Sequence, residues 1–125
     1  MTVFKNKFDL TNKTALITGS AGLLGIEHAK ALLETGANVI LTDLNEGDLF
    51  VAYDNLKRDE TKGRIFYHVM DVTEQESIAE ISNSLSSDGV RVDILINNAA
   101  IDPKVKENET IEMTRLENFS LDQWN

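Results

Sequence analysis

The sequence predicts an α/β fold, a parallel sheet doubly wound by helices and broken off after about four strands. Three observations carry that prediction. Short apolar runs of strand length alternate with segments whose apolar residues recur at helical spacing. Glycines crowd the first strand-to-helix junction. A chain of 125 residues, 42% hydrophobic and 26% charged, has enough apolar material for one packed core. Strands and helices that alternate in this way join through right-handed crossovers, which make neighbouring strands parallel and place helices on both faces.

Taken in order, the first strand runs from Ala15 to Thr18, the second from Asn38 to Thr42, the third from Arg64 to Met70 and the fourth from Val92 to Ile96. Ile26, Ala29 and Leu33 share one face of a first helix, which Gly36 ends as a left-handed cap. A weaker helix covers roughly Glu46 to Asp59, with Leu49, Tyr53 and Leu56 on one side. Ile78, Ile81 and Leu85 mark a third, and Thr73 and Glu76 have the spacing of a capping box at its start. From Asp102 to Asn118 the periodicity fails around Pro103, and a stretch of that length reads either as a solvated loop or as a functional lid. Ser120 and Gln123 repeat the capping-box spacing, yet Asn125 follows before two turns are complete. Residues 1–125 therefore read as a single domain whose continuation, and a partner for the outer edge of the fourth strand, lie beyond Asn125.

Charge and composition narrow the function. A net charge of −9 repels nucleic-acid backbones and anionic lipid surfaces at long range. An anionic cofactor is still accessible, because the free N–H groups of a helix N-terminus hold phosphate locally. The chain has no cysteine, so a disulfide framework and thiolate chemistry are excluded and a cytoplasmic location is expected. Lys5, Lys7 and Asp9 interrupt the first ten residues where a secretory leader needs an apolar run, and no segment approaches the ~20 apolar residues of a membrane span.

Four motifs carry chemistry. Thr18 to Gly25 (TGSAGLLG) joins the first strand to the first helix, where glycines let a backbone approach phosphate and the helix start offers N–H donors; alone it is also compatible with a tight turn that binds nothing. Asp43 ends the second strand, where a carboxylate can accept from both hydroxyls of an adenosine ribose and repel a 2′-phosphate. With Leu44 beside it and no Lys or Arg in the glycine turn, NAD is expected over NADP. Asp71 and Val72 follow the third strand, suited to an adenine amino group and ring, although Asp71 is equally placed to cap the next helix. Asn97, Asn98, Ala99 and Ala100 close the fourth strand with mostly small residues that admit a ligand close to the backbone.

In this order and spacing the four motifs resemble the short-chain dehydrogenase/reductase family, over Phe8 to Trp124. The resemblance implies a Rossmann-type sheet with Gly19, Ser20 and Leu24 along the pyrophosphate and nicotinamide ribose. It also implies Asp43 at the adenosine ribose, Asp71 and Val72 at adenine, Asn98 to Ala100 beside the ribose, and Asn97 as a sheet brace. Two departures stand out: the middle glycine of the family's T-G-x-x-x-G-x-G is Leu23 here, with Gly22 one step early, and N-N-A-G ends as N-N-A-A. Together with Ile101 to Lys104 these variants are similar to a branch associated with flagellin or surface-polysaccharide modification. The family's catalytic Asn, Ser, Tyr and Lys have no counterpart in this chain: Tyr53 and Lys57 show the Tyr-Lys spacing but fall between the second and third strands, and Asn125 comes too early for the relay Asn. His28 and His68 lack partners at metal-ligand spacing, so no metal is expected. The implied activity is hydride transfer between NAD and a small alcohol or carbonyl in a longer, homo-oligomeric protein. A non-catalytic NAD-binding module and an S-adenosylmethionine-dependent methyltransferase-like domain are the alternatives.

Overall fold

The computed structural model describes residues 7–59, 61, 63–100 and 122. Strands β1 (Thr14–Ile17), β2 (Asn38–Asp43), β3 (Ile65–Val69) and β4 (Ile94–Ile96) form one parallel sheet in the order β3-β2-β1-β4. Helices α1 (Leu23–Glu34), α2 (Glu46–Lys57) and α3 (Gln75–Ser87) connect them in turn. The chain builds outward from β1 through β2 to β3, then returns across the sheet to set β4 on the other flank of β1. Successive crossovers therefore leave β1 in opposite directions, and the C-terminal ends of β1 and β4 open a crevice of the kind in which α/β sheets bind ligands.

Local chemistry sets the ends of these elements. In α1 the Gly36 N–H donates to Leu33 O at 3.0 Å and the Ala37 N–H to Leu32 O at 3.1 Å, the paired bonds of a Schellman cap at the expected glycine. Helix α2 starts at Asn45, whose Oδ1 accepts the Asp48 N–H at 2.9 Å, a cap the sequence pattern left unrecognised. The capping box expected of Thr73 and Glu76 does not form. Both Thr73 donors go instead to Asp71 Oδ1, N–H at 2.9 Å and Oγ1 at 2.6 Å, and α3 starts beyond Glu74, which makes no side-chain cap bond. A carboxylate two residues upstream is the stronger acceptor, and it draws Thr73 into a turn of its own. Strand β4 begins later than the apolar run suggests because Asp93 Oδ2 takes the Thr14 N–H at 3.1 Å, a side chain standing where a ladder carbonyl would.

The core is lopsided. On the α1–α2 side Ile17, Val39 and Leu41 of the sheet pack against Ala29, Leu33, Leu49, Ala52 and Leu56. On the α3 side the buried cluster is Leu16, Ile40, Met70 and Leu85. Among the described residues every buried side-chain nitrogen and oxygen has a hydrogen-bond partner, and no helix is long and apolar enough to cross a membrane. The stretch from Asp102 to Asn118, the Ile101 to Lys104 variant, the Ser120–Gln123 box and Trp124 lie outside the described residues.

Candidate functional site

The ends of β1 and β4 are locked together where the crevice opens. Thr18 Oγ1 accepts the N–H groups of Asn98 at 3.0 Å and Ala99 at 2.9 Å, while Asn98 Nδ2 donates to Gly19 O at 3.1 Å. Gly19 has φ +61°, and a Cβ there would lie 2.9 Å from Ala99 Cα, so both conformation and space demand glycine. Gly25 seats α1 on the turn, since its Cβ would meet Gly19 O at 2.5 Å. The opposite wall is the end of β2. Thr42 O receives both the Ser20 N–H at 3.0 Å and the Ser20 Oγ at 3.1 Å; Asp43 Oδ2 receives the Ala21 N–H at 3.1 Å.

These contacts frame an open cleft of about 700 Å³ at the C-terminal edge of the sheet. Gly19, Gly22, Leu24, Asp43, Leu44, Asp71, Val72, Asn98, Ala99 and Ala100 all line it, ten of the eleven positions picked from the sequence. Ser20 is the exception: it is fully buried, and its side chain points into the sheet as a brace on Thr42. Leu23, Met70 and Thr73 complete the wall. Leu23 is the first residue of α1 and 90% exposed, so it stands at the mouth of the cleft. Met70 closes the inner end, where its N–H donates to Asp43 O at 2.9 Å.

The electrostatics of the cleft are divided. Helix α1 has no acidic residue in its first turn and no side-chain cap, so its N–H groups and positive dipole end are left for an anion. In contrast α2 carries Glu46 and Asp48 in its first turn, and α3 carries Glu76. Across from the start of α1 sit two carboxylates. Asp43 is half-buried, with Oδ1 accepting the Leu44 N–H at 2.7 Å. The hydroxyl and N–H of Thr73 hold the Asp71 carboxyl below its ordinary value. An anion-receptive turn thus faces carboxylates across the cleft.

A family model described as short chain dehydrogenase matches residues 13–124. The chain belongs to this family. A short chain dehydrogenase/reductase of Gibberella zeae is 40% identical over 92 residues, 74% of this chain and 33% of that relative. Among solved structures, L-sorbose reductase from Gluconobacter frateurii, complexed with NADPH and L-sorbose, superposes with a TM-score of 0.70 at 27% identity, over 84% of this chain and 40% of that one. NAD+-bound xylitol dehydrogenase gives 0.66 at 30% identity, over 74% of this chain and 35% of that one. The chain thus spans between 33% and 40% of the length of the curated relatives it first matches. The cleft lies in the part of the short-chain dehydrogenase fold that binds a nicotinamide dinucleotide, and the S-adenosylmethionine alternative finds no support.

Within this family fold the Tyr53–Lys57 pair is remote from the cleft. Both lie on the second half of α2 and line a hollow with Gly63 and Arg64, at the N-terminal end of β3. Tyr53 stacks at a tilt on Tyr67, centroids 5.1 Å apart, and Lys57 Nζ sits 5.6 Å from the Tyr53 ring, so their roles are packing and a cation–π contact. The brace expected of Asn97 is made by Asn98 instead. Asn97 is exposed on the α3 side, while the Asn98 amide reaches Gly19 O across 79 positions of sequence. Among the described residues no group of three His, Cys, Asp or Glu side chains is arranged to hold a metal.

Proposed function

We propose that this chain binds NAD in the cleft between the glycine turn and Asp43, as the cofactor-binding part of a dehydrogenase or reductase acting on a small alcohol or carbonyl compound. One observation carries the choice of NAD: the Asp43 carboxylate faces the cleft from the end of β2, and no Lys or Arg occurs from Thr18 to Gly25. A carboxylate offers about four acceptor sites, and the N–H groups of Ala21 and Leu44 take two, which leaves capacity for two ribose hydroxyls. A 2′-phosphate would bring a charge of about −1.5 to −2 against that carboxylate, with no Lys or Arg among the described residues that line the cleft to offset it. The turn residues fit the rest of the group: Gly22 opens α1 with nothing nearer than 3.4 Å to where its Cβ would be, so the backbone can come close to phosphate. When bound, the nicotinamide supplies the hydride acceptor or donor; the residues described here orient it.

The test is a fluorescence titration of the purified chain with NADH and with NADPH. Saturable NADH binding is expected, with NADPH weaker by about ten-fold or more, the scale of one opposed charge pair of ~1.4 kcal/mol. No saturation with either, or a preference for NADPH, rejects the reading. Because no Tyr–Lys pair meets the cleft among the described residues, binding without turnover is expected of this chain.

A further inference from the structure

We propose that Asp43 is also a positioning residue, holding the glycine turn in its binding shape through Ala21 and so supporting ligands whose adenosine ribose carries no 2′- or 3′-hydroxyl. This rests on the cleft being a dinucleotide site. Two fasteners tie the turn to the end of β2. The first is independent of side chain 43, since Ser20 donates its N–H and Oγ to the Thr42 carbonyl. The second is the Asp43 carboxylate, and it is the partner the structure gives the half-buried Ala21 N–H.

The carboxylate is itself oriented: Oδ1 takes the Leu44 N–H at 2.7 Å, which turns Oδ2 toward Ala21 at 3.1 Å. Beyond Ala21 the turn is loosely held, because the Gly22 N–H reaches Gly19 O only at 3.3 Å. Without the carboxylate, Ala21 to Gly22 lose their hold on β2, and a partly buried N–H is left to find another acceptor. That is the segment that leads into the uncapped start of α1. Its shape therefore decides where the anion-binding N–H groups point.

Charge alone predicts the reverse. Removing a carboxylate from beside a phosphate site should strengthen phosphate binding, whereas removing a fastener should weaken it. The two are separated with NADH and with an NADH analogue whose adenosine carries 2′,3′-dideoxyribose, titrated against the native chain, D43A and D43N. The two variants have the same charge, and the amide oxygen of D43N keeps one acceptor for the turn. D43A is expected to bind the dideoxy analogue about five-fold more weakly than the native chain, D43N to recover part of the loss, and the Ala21 amide to exchange faster with solvent in ligand-free D43A. Circular dichroism checks that the variants fold, and D43N carries the test if D43A does not. Equal or tighter binding of the analogue by D43A overturns the proposal, as does an unchanged Ala21 exchange rate. If the native chain binds no dinucleotide, the cofactor reading fails separately, and Ala21 exchange decides whether the fastener exists.

Discussion

The two faces of the sheet are built to different standards. Toward α1 and α2 the strand side chains Ile17, Val39 and Leu41 are wholly buried, closed over by two helices. Toward α3 one helix among the described residues covers Leu16 and Ile40, and Leu95 of β4 is 58% exposed, with Ile78 and Val92 also open to solvent. The pattern of alternating strands and helices is symmetric, but burial is not. Hydrophobic stabilisation scales with apolar area removed from water, so among the described residues the α1–α2 face contributes more of it, and it is the face that positions the glycine turn and Asp43.

The sharpest way to break this comparison is a pair of truncations. Leu41→Ala should cost ~3 kcal/mol in urea unfolding, as a fully buried leucine leaves a cavity, whereas Leu95→Ala should stay within ~0.5 kcal/mol. Equal losses would mean the faces contribute alike. Next in size, Gly25→Ala forces a Cβ to within 2.5 Å of Gly19 O and should lower the melting temperature through about 1–3 kcal/mol of overpacking, while Gly22→Ala, with 3.4 Å of room, should leave it near the native value. The smallest effect belongs to the α3 side. Thr73→Val removes the hydroxyl that holds the Asp71 carboxyl low, so a carbon-detected NMR titration should show its midpoint rise. A carboxyl depressed in the folded state stabilises above its unfolded titration range and loses that contribution as pH falls through the folded value. The native chain should therefore outlast Thr73→Val only above that acidic range, and the difference should vanish below it.

How far the sequence reveals this molecule depends on the range of the interaction concerned. Strand runs, the Gly36 cap and the residues around the cleft follow from local periodicity or motif order, and the structure places them accordingly. Side-chain direction does not. Ser20 looks like a ligand residue in its motif, but its hydroxyl is taken by Thr42, 22 positions away; the brace falls to Asn98 rather than Asn97 because of Gly19, 79 positions away. Where two local signals compete, strength decides: Asp71 takes Thr73 from Glu76 and delays α3. The Asn45 cap is masked in the sequence by its place directly after Asp43 and Leu44 at the strand end, and Asp48, three residues on, is not the Glu or Gln of a capping box; only the bond from the Asp48 N–H to Asn45 Oδ1 marks it.

The contact between Gly19 and Ala99 makes the cleft a place where the sheet can be latched from outside. The backbones of β1 and β4 are so close there that a ligand seated over Gly19 also bears on Ala99. Strand β4 is only three residues long and has a neighbour on one side among the described strands. On the proposed cofactor reading, occupancy would act on this short edge strand as a rivet acts on a loose plate, and the resistance of β4 to opening would grow with the logarithm of ligand concentration above the dissociation constant.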